Sequence, residues 1–289
     1  MSQATSGSRG ELPAIPESLP LPVYDNHTHL EFEYGFTVLE PEDALARAAQ
    51  AGVRGIVQVG TDLESSRWSA ALAARDPRVL AAVALHPNEA PELASQGELC
   101  THLSEISRLA SEPRVRAVGE TGLDFFRTGE DGRAAQYESF EAHIDIAKAN
   151  KIAMQIHDRD AHDEVVATLK RVSAPAGTVF HCFSGDAELA KICNDNGWYM
   201  SFSGTMTFKN APALREALAI ADPKLVLVET DAPFLTPEPF RGRQNAPYLM
   251  PHTVRRMADV LAQPLDELCA QLVANTERVY GSWEETEDE

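Results

Sequence analysis

Side chains able to hold a divalent cation recur in this sequence at one kind of place, the end of a short apolar run. They are His27 and His29 in V-Y-D-N-H-T-H, Glu120 in A-V-G-E-T-G-L-D, His157 in A-M-Q-I-H-D, His181 in V-F-H-C-F-S and Asp231 in V-L-V-E-T-D-A-P. Mixed imidazole and carboxylate donors suit Zn²⁺, Mn²⁺ or Co²⁺ better than an all-oxygen Ca²⁺ site, and Mg²⁺ also suits the carboxylates. Residues two apart on a strand face the same way, so His27 and His29 can hold one ion, with Asp25 one step deeper as a hydrogen-bonding support. A carboxylate has two oxygens, so Glu120 can bridge two ions. One ion would take His27, His29 and Asp231, and the other His157 and His181. Two divalent ions about 3.5–4 Å apart clamp the attacking and leaving oxygens of a bond being hydrolysed. Asp231 is expected both to bind an ion and to accept the proton of the attacking water. Glu229 shares its face and is expected to be either a support or a structural charge. His86, in A-L-H-P, is expected either to touch the scissile or leaving phosphate without binding metal, or to serve the structure. The catalytic candidates are thus Asp231, Glu120 and His86. His102, His143, His162 and His252 fall in helical stretches and read as ordinary surface or helix residues.

Such donors need elements that deliver them to one mouth. The apolar runs predict strands over 23–27, 55–60, 79–86, 117–121, 152–157, 178–183, 198–203 and 225–230. Rich in Val, Ile, Leu and Ala, they read as buried parallel strands. Helical stretches alternate with them. Residues 41–52 run from Pro41 to Gly52, 133–150 show helical apolar spacing, and 186–197 run from Asp186 as N-cap to Gly197 as C-terminal glycine. Eight βα units in series predict a TIM-type (β/α)₈ barrel, whose chemistry sits at the C-terminal ends of its strands. A doubly wound sheet would bring a glycine-rich phosphate loop after the first strand, and H-T-H stands there instead. A further helix over 264–280 is expected outside the barrel. The domain reading is a flexible N-terminal arm (1–20), one barrel (21–281) and an acidic disordered tail (282–289).

Length and composition fit this plan. A barrel of about 250 residues plus extensions accommodates 289 residues, 44% of them hydrophobic. No apolar run is long enough to span a membrane, and the N-terminus carries no signal-like apolar stretch. Cys100, Cys182, Cys193 and Cys269 form no C-x-x-C pair, which suits free thiols in a reducing, cytoplasmic setting. Cys182 is expected to turn away from His181 as a small buried hydrophobe. The net charge of −19 argues against a large basic footprint for duplex nucleic acid and leaves room for a small site whose cations supply local positive charge. No P-loop, G-x-S-x-G or Cys-His dyad offers a covalent nucleophile.

These motifs together resemble the TatD family of metal-dependent hydrolases, TatD-like deoxyribonucleases of the amidohydrolase superfamily. The resemblance runs from about Val23 to Tyr280 and rests on D-N-H-T-H-L (25–30), G-E-T-G-L-D (119–124), I-H-D-R-D-A (156–161), H-C-F-S-G (181–185), E-T-D-A-P-F-L (229–235) and R-G-R-Q-N-A-P (241–247). It implies a two-metal centre on His27, His29, Glu120, His157, His181 and Asp231. It also implies phosphodiester hydrolysis by a metal-bridged hydroxide, often as a 3′ to 5′ exonuclease, with DNA or RNA ends as substrate and no stable protein partner. Ala246 stands where many members carry Glu, which puts in doubt how the loop after the eighth strand is braced. Arg127, Arg159, Lys209, Arg241 and Arg243 follow strand ends and can hold flanking phosphates. Phe125, Phe126, Phe183 and Phe208 lie in the same loops, where one or two can stack on an end base. Two other readings stay open: a two-metal hydrolase of a small ester, amide or lactone, and a metal-binding scaffold without catalysis.

Overall fold

The computed structural model describes residues 12–32 and 39–283. Eight parallel strands lie side by side in chain order: β1 (Val23–Thr28), β2 (Val53–Val59), β3 (Val79–Val83), β4 (Val115–Asp124), β5 (Ala153–Arg159), β6 (Thr178–Phe180), β7 (Tyr199–Phe202) and β8 (Val226–Val228). Helices connect successive strands. The ring closes where the segment after β8 meets β1: Thr28 bridges Ala232, His29 N–H donates to Ala232 O (2.8 Å), and Asp231 N–H donates to His27 O (2.9 Å). The protein is a TIM-type (β/α)₈ barrel, and the closing bonds fall on the residues that carry the first and last metal-ligand candidates.

Two layers of core follow from strands buried on both sides. One lies between the sheet and its helices. The other takes a residue or two from every strand, Tyr24, Val57, Leu80, Ala117, Ala153, Val179, Tyr199 and Leu227 among them, and fills the barrel. Beneath this inner layer sit Tyr280, at the end of the last helix (Leu265–Tyr280), and Trp283. Trp283 stacks on Tyr24 at 4.0 Å, and its indole N–H donates to Arg78 O (3.1 Å). Gly55 makes room for it, since a Cβ there would lie 2.8 Å from the indole nitrogen.

Every expected strand is present, with shifted ends. β4 runs on to Asp124, whereas β3, β6 and β8 stop at Val83, Phe180 and Val228, short of the donors expected at their ends. The chain ends need correction as well. Of the expected loose arm, residues 1–11 lie outside the described residues, but 12–20 are tied down. Leu19 is buried and its N–H donates to Ala51 O (3.1 Å), while Pro13 O accepts from the buried Tyr248 hydroxyl (2.8 Å). Of the expected acidic tail, 284–289 lie outside the described residues, and Trp283 belongs to the barrel floor. Ala246 is buried with Tyr248 and Leu249, an apolar bracing of the loop after β8. Among the described residues no helix is long and apolar enough to cross a membrane.

Candidate metal centre

His27 and His29 leave the end of β1 with both Nε2 atoms turned inward, 3.1 Å apart. The tautomer of His29 follows from its neighbour. Its Nδ1 lies 2.9 Å from Val59 O, which can only accept, so Nδ1 holds a proton and Nε2 is the nitrogen left to bind an ion. Beneath them Asp25 accepts from the amides of Thr230 (2.8 Å) and His27 (3.3 Å) and from the Thr230 hydroxyl (2.5 Å), tying β1 to the chain beyond β8. Burial, partly offset by the Thr230 bonds, pushes the Asp25 carboxyl up to about 8.

Glu120 lies at the centre. Its Oε1 is 2.5 Å from His157 Nδ1 and 2.9 Å from His181 Nε2, with His86 Nε2 at 3.6 Å. Its Oε2 is 3.7 Å from His27 Nε2 and 3.8 Å from His29 Nε2. Asp231 closes the other side, its Oδ1 3.8 Å from His27 Nε2 and 3.5 Å from His29 Nε2. Asp231 adopts φ 53°, a region that aspartate tolerates better than most residues. All six expected ligands therefore converge, and His86 joins them.

The imidazoles are held from behind by carboxylates. His181 Nδ1–H donates to Glu229 Oε1 (3.2 Å), and Nε2 lies 2.9 Å from Glu120 Oε1, where it donates to that carboxylate and is the nitrogen an ion would take in place of the proton. His157 Nε2 donates to Asp124 Oδ2 (3.2 Å), which frees Nδ1 toward the centre. Sequence reasoning left Glu229 undecided and passed over Asp124. Yet Asp124 shares strand parity with Glu120 on β4, a signal present in G-E-T-G-L-D. Gly122 between them sits at φ 145°, where a Cβ would lie 2.1 Å from His157 O; only glycine lets β5 come this close.

Electrostatics match. Burial opposes the charge on Glu120, but the imidazoles of His181, His86 and His157 outweigh it and hold the carboxyl well below its ordinary value. Burial likewise opposes charge on His29, but Asp231, Glu31 and Glu120 raise it to about 9. Glu120 and Glu229 raise His181 well above its ordinary value against burial. Burial and the neighbouring His181 push His27 down. Burial also lowers His86, whose Nδ1 accepts the Asn88 N–H (3.1 Å); its neutral proton therefore sits on Nε2, facing Glu120. His86 thus turns an N–H into the site while staying neutral.

Two expectations fail here. Cys182 does not turn away as a strand residue: β6 has ended, Cys182 sits at φ 41°, and it lines the cavity. Burial pushes its thiol up to about 12, so it is a neutral wall residue. His143 is no surface residue. On the helix Glu130–Asn150 it is fully buried, its Nε2 accepts the Leu85 N–H (3.2 Å), and Nδ1 lies 2.9 Å from Thr121 Oγ1, bracing the ends of β3 and β4. The cavity over the centre, about 580 Å³, is lined by His29, His86, Glu120, Asp124, His157, His181 and Asp231, with Arg127, Arg159, Phe32 and Phe234 among its other walls. Lys209, Arg241, Arg243, Phe125, Phe126, Phe183 and Phe208 are not among its lining residues.

Three trios, His27–His181–Asp231, His27–His29–Glu120 and His86–Glu120–His157, each bring their nitrogens and oxygens within 4.8 Å of one another, which fits divalent metal binding. The family model for TatD related DNase matches residues 24–281. The chain belongs to the TatD family. As a TatD-family metal-dependent hydrolase it has well-matched relatives. An uncharacterized metal-dependent hydrolase TatD of Mycobacterium tuberculosis is 43% identical over 261 residues, covering 89% of this chain and 97% of that protein. A Citrobacter rodentium protein named 3'-5' ssDNA/RNA exonuclease TatD is 33% identical, covering 84% and 93%. The crystal structure of YJJV, a TatD homolog from Escherichia coli, superimposes with a TM-score of 0.80 at 28% identity, covering 90% of this chain and 98% of that one.

Proposed function

We propose that this TatD-family hydrolase is a two-metal phosphodiesterase that shortens single-stranded DNA or RNA from the 3′ end. The observation that carries the reading is the placement of Glu120, one carboxylate with each oxygen toward a different set of imidazole nitrogens. That arrangement suits two ions sharing one bridging carboxylate, with His27, His29 and Asp231 on one side and His157 and His181 on the other. Zn²⁺, Mn²⁺, Co²⁺ or Mg²⁺ bound there would polarise a phosphoryl oxygen and acidify a water. Asp231, at the cavity wall, accepts the proton of the attacking water. His86 Nε2–H donates to a phosphoryl oxygen as charge builds there. Glu229 and Asp124 fix the imidazoles of His181 and His157 so that neither turns as charge moves. The choice of nucleic acid rests on the name of the Citrobacter relative and on two arginines at the cavity wall.

The test is hydrolysis of 5′-labelled single-stranded DNA by metal-stripped protein with each ion restored, beside Glu120→Ala and Asp231→Ala. The expected result is a metal-restored ladder shortened from the 3′ end and absent in both variants. No cleavage with any ion, despite two bound equivalents of metal, would refute it.

A further inference from the structure

Two adjacent phenylalanines follow β4, and they behave differently. Phe125 is half-buried, edge-on to Tyr137 and covered by the Arg133 guanidinium at 3.9 Å, so it serves packing. Phe126 is 62% exposed, and its described ring contact is the Arg159 guanidinium, 4.0 Å from the ring centroid. One face of the Phe126 ring carries a cation and the other meets solvent. Arg159 itself lines the metal cavity. It pairs in register with Asp124 and lies two residues beyond His157 on β5, hence on the same face. Two strand residues span roughly 6.6 Å, about the reach of one nucleotide.

The chain carries 44 acidic against 25 basic side chains, and some arginines elsewhere, Arg54, Arg67, Arg78, Arg108 and Arg171, are in ion pairs with them. Arg127 and Arg159 both line the cavity, and among the described residues neither guanidinium has a carboxylate partner. Unneutralised arginines at the wall of a metal cavity in an acidic protein point to an anionic ligand. A guanidinium stacked on a ring keeps its N–H edge free to donate in plane. The same Arg-on-Phe pairing recurs at Arg241 and Phe208 (4.1 Å), but neither of those residues lines the cavity, whereas Arg159 does and holds Phe126 beside its mouth.

Resting on the exonuclease reading above, we propose that Phe126 and Arg159 form a nucleotide platform. The base next to the scissile phosphate stacks on the open face of Phe126, and Arg159 and Arg127 hold the neighbouring phosphate. The platform gives the enzyme its preference for an unpaired strand, because a base stacked within a duplex cannot also lie on Phe126. Stacking tolerates any base, so the device selects strandedness and not sequence.

The test compares kcat/KM of the metal-loaded wild type, Phe126→Ala and Phe126→Trp on an oligothymidylate, on the same oligomer with abasic sites next to the cleaved bond, and on bis(4-nitrophenyl) phosphate. Wild type is expected to prefer the intact over the abasic oligomer by about tenfold. Phe126→Ala loses that preference through the oligothymidylate alone and Phe126→Trp keeps it, while turnover of the small diester reports that the metal centre is assembled in each protein. Arg159→Gln lowers kcat/KM on the oligomer and flattens its dependence on salt by about 0.7 in log–log slope. Equal cleavage of both oligomers by wild type and Phe126→Ala overturns the platform while leaving the exonuclease intact. Failure of wild type to cut either oligomer, with the small diester still hydrolysed, overturns the exonuclease reading and the platform with it.

Discussion

Removing the charge of Glu229 while keeping its shape is expected to weaken metal binding without unfolding the site. Its Oε1 accepts both the Cys182 N–H (2.6 Å) and His181 Nδ1–H (3.2 Å). In Glu229→Gln the amide oxygen can take both bonds, but as a neutral acceptor, and charge-assisted bonds are about twice as strong. His181 then becomes a poorer donor at Nε2. Loss of such a carboxylate behind a ligating histidine costs about 10- to 100-fold in metal affinity, or about 1.4–2.7 kcal/mol. Glu229 is fully buried and its Oε2 has no hydrogen-bond partner, so the metal-free fold gains back some desolvation energy when the charge goes. Glu229→Ala differs, because it strands the Cys182 N–H without its acceptor at about 1–3 kcal/mol. Chelator-competition titrations with Zn²⁺ read the affinity, and thermal melts of the metal-free proteins read the fold. Glu229→Gln binding Zn²⁺ within twofold of wild type would refute the reasoning, as would a melting loss equal to that of Glu229→Ala.

Two further outcomes test the frame around the centre. Burial raises the Asp124 carboxyl, but its bonds from His157, the Arg127 amide and Asn88 outweigh that and hold it well below its ordinary value. Its stabilising contribution is therefore complete above the unfolded value of about 3.9 and lost as pH falls below it. Metal-free Asp124→Asn is expected to melt below wild type at neutral pH and to converge with it in acid; a pH-independent gap in melting temperature would count against this. Trp283→Ala, which empties the barrel floor, is expected to cost about 3–5 kcal/mol and roughly 10 °C in melting temperature, measured by calorimetry; a loss below about 1 kcal/mol would show that the floor is not packed as described.

The fold was legible because apolar runs of strand length, alternating with helices, leave few architectures. The ligand set was legible because each donor follows such a run. Strand ends were not, since burial continues past the last paired residue: Leu85, His181 and Thr230 are buried or nearly so beyond the strands they follow. The reading of Cys182 relied on strand alternation where the backbone had already turned to φ 41°. That of His143 ignored its own helix, where Gln136, Ser139, Phe140, His143 and Ala147 recur on one buried face. Asp124 was visible by parity with Glu120, but a carboxylate that supports a ligand looks in sequence like one that is a ligand. The N-terminal residues 12–20 read as loose because Pro recurs three times among them, and composition does not report the Tyr248 hydroxyl that donates to Pro13 O.

The seam of the ring joins its first strand to the segment after its last. β1 emerges first in synthesis and meets residues 231–232 of the segment after β8, so for most of translation it has one edge without a partner. The inner layer beneath it is finished only when Trp283 arrives. Any nascent chain halted before Val226 therefore exposes two unpaired parallel edges at once, the very surfaces on which unfinished sheets add strands from other molecules. Chaperone demand and aggregation during expression should track how long that last stretch takes to appear, and slow translation over the codons for 226–283 is where misassembly of this barrel would begin.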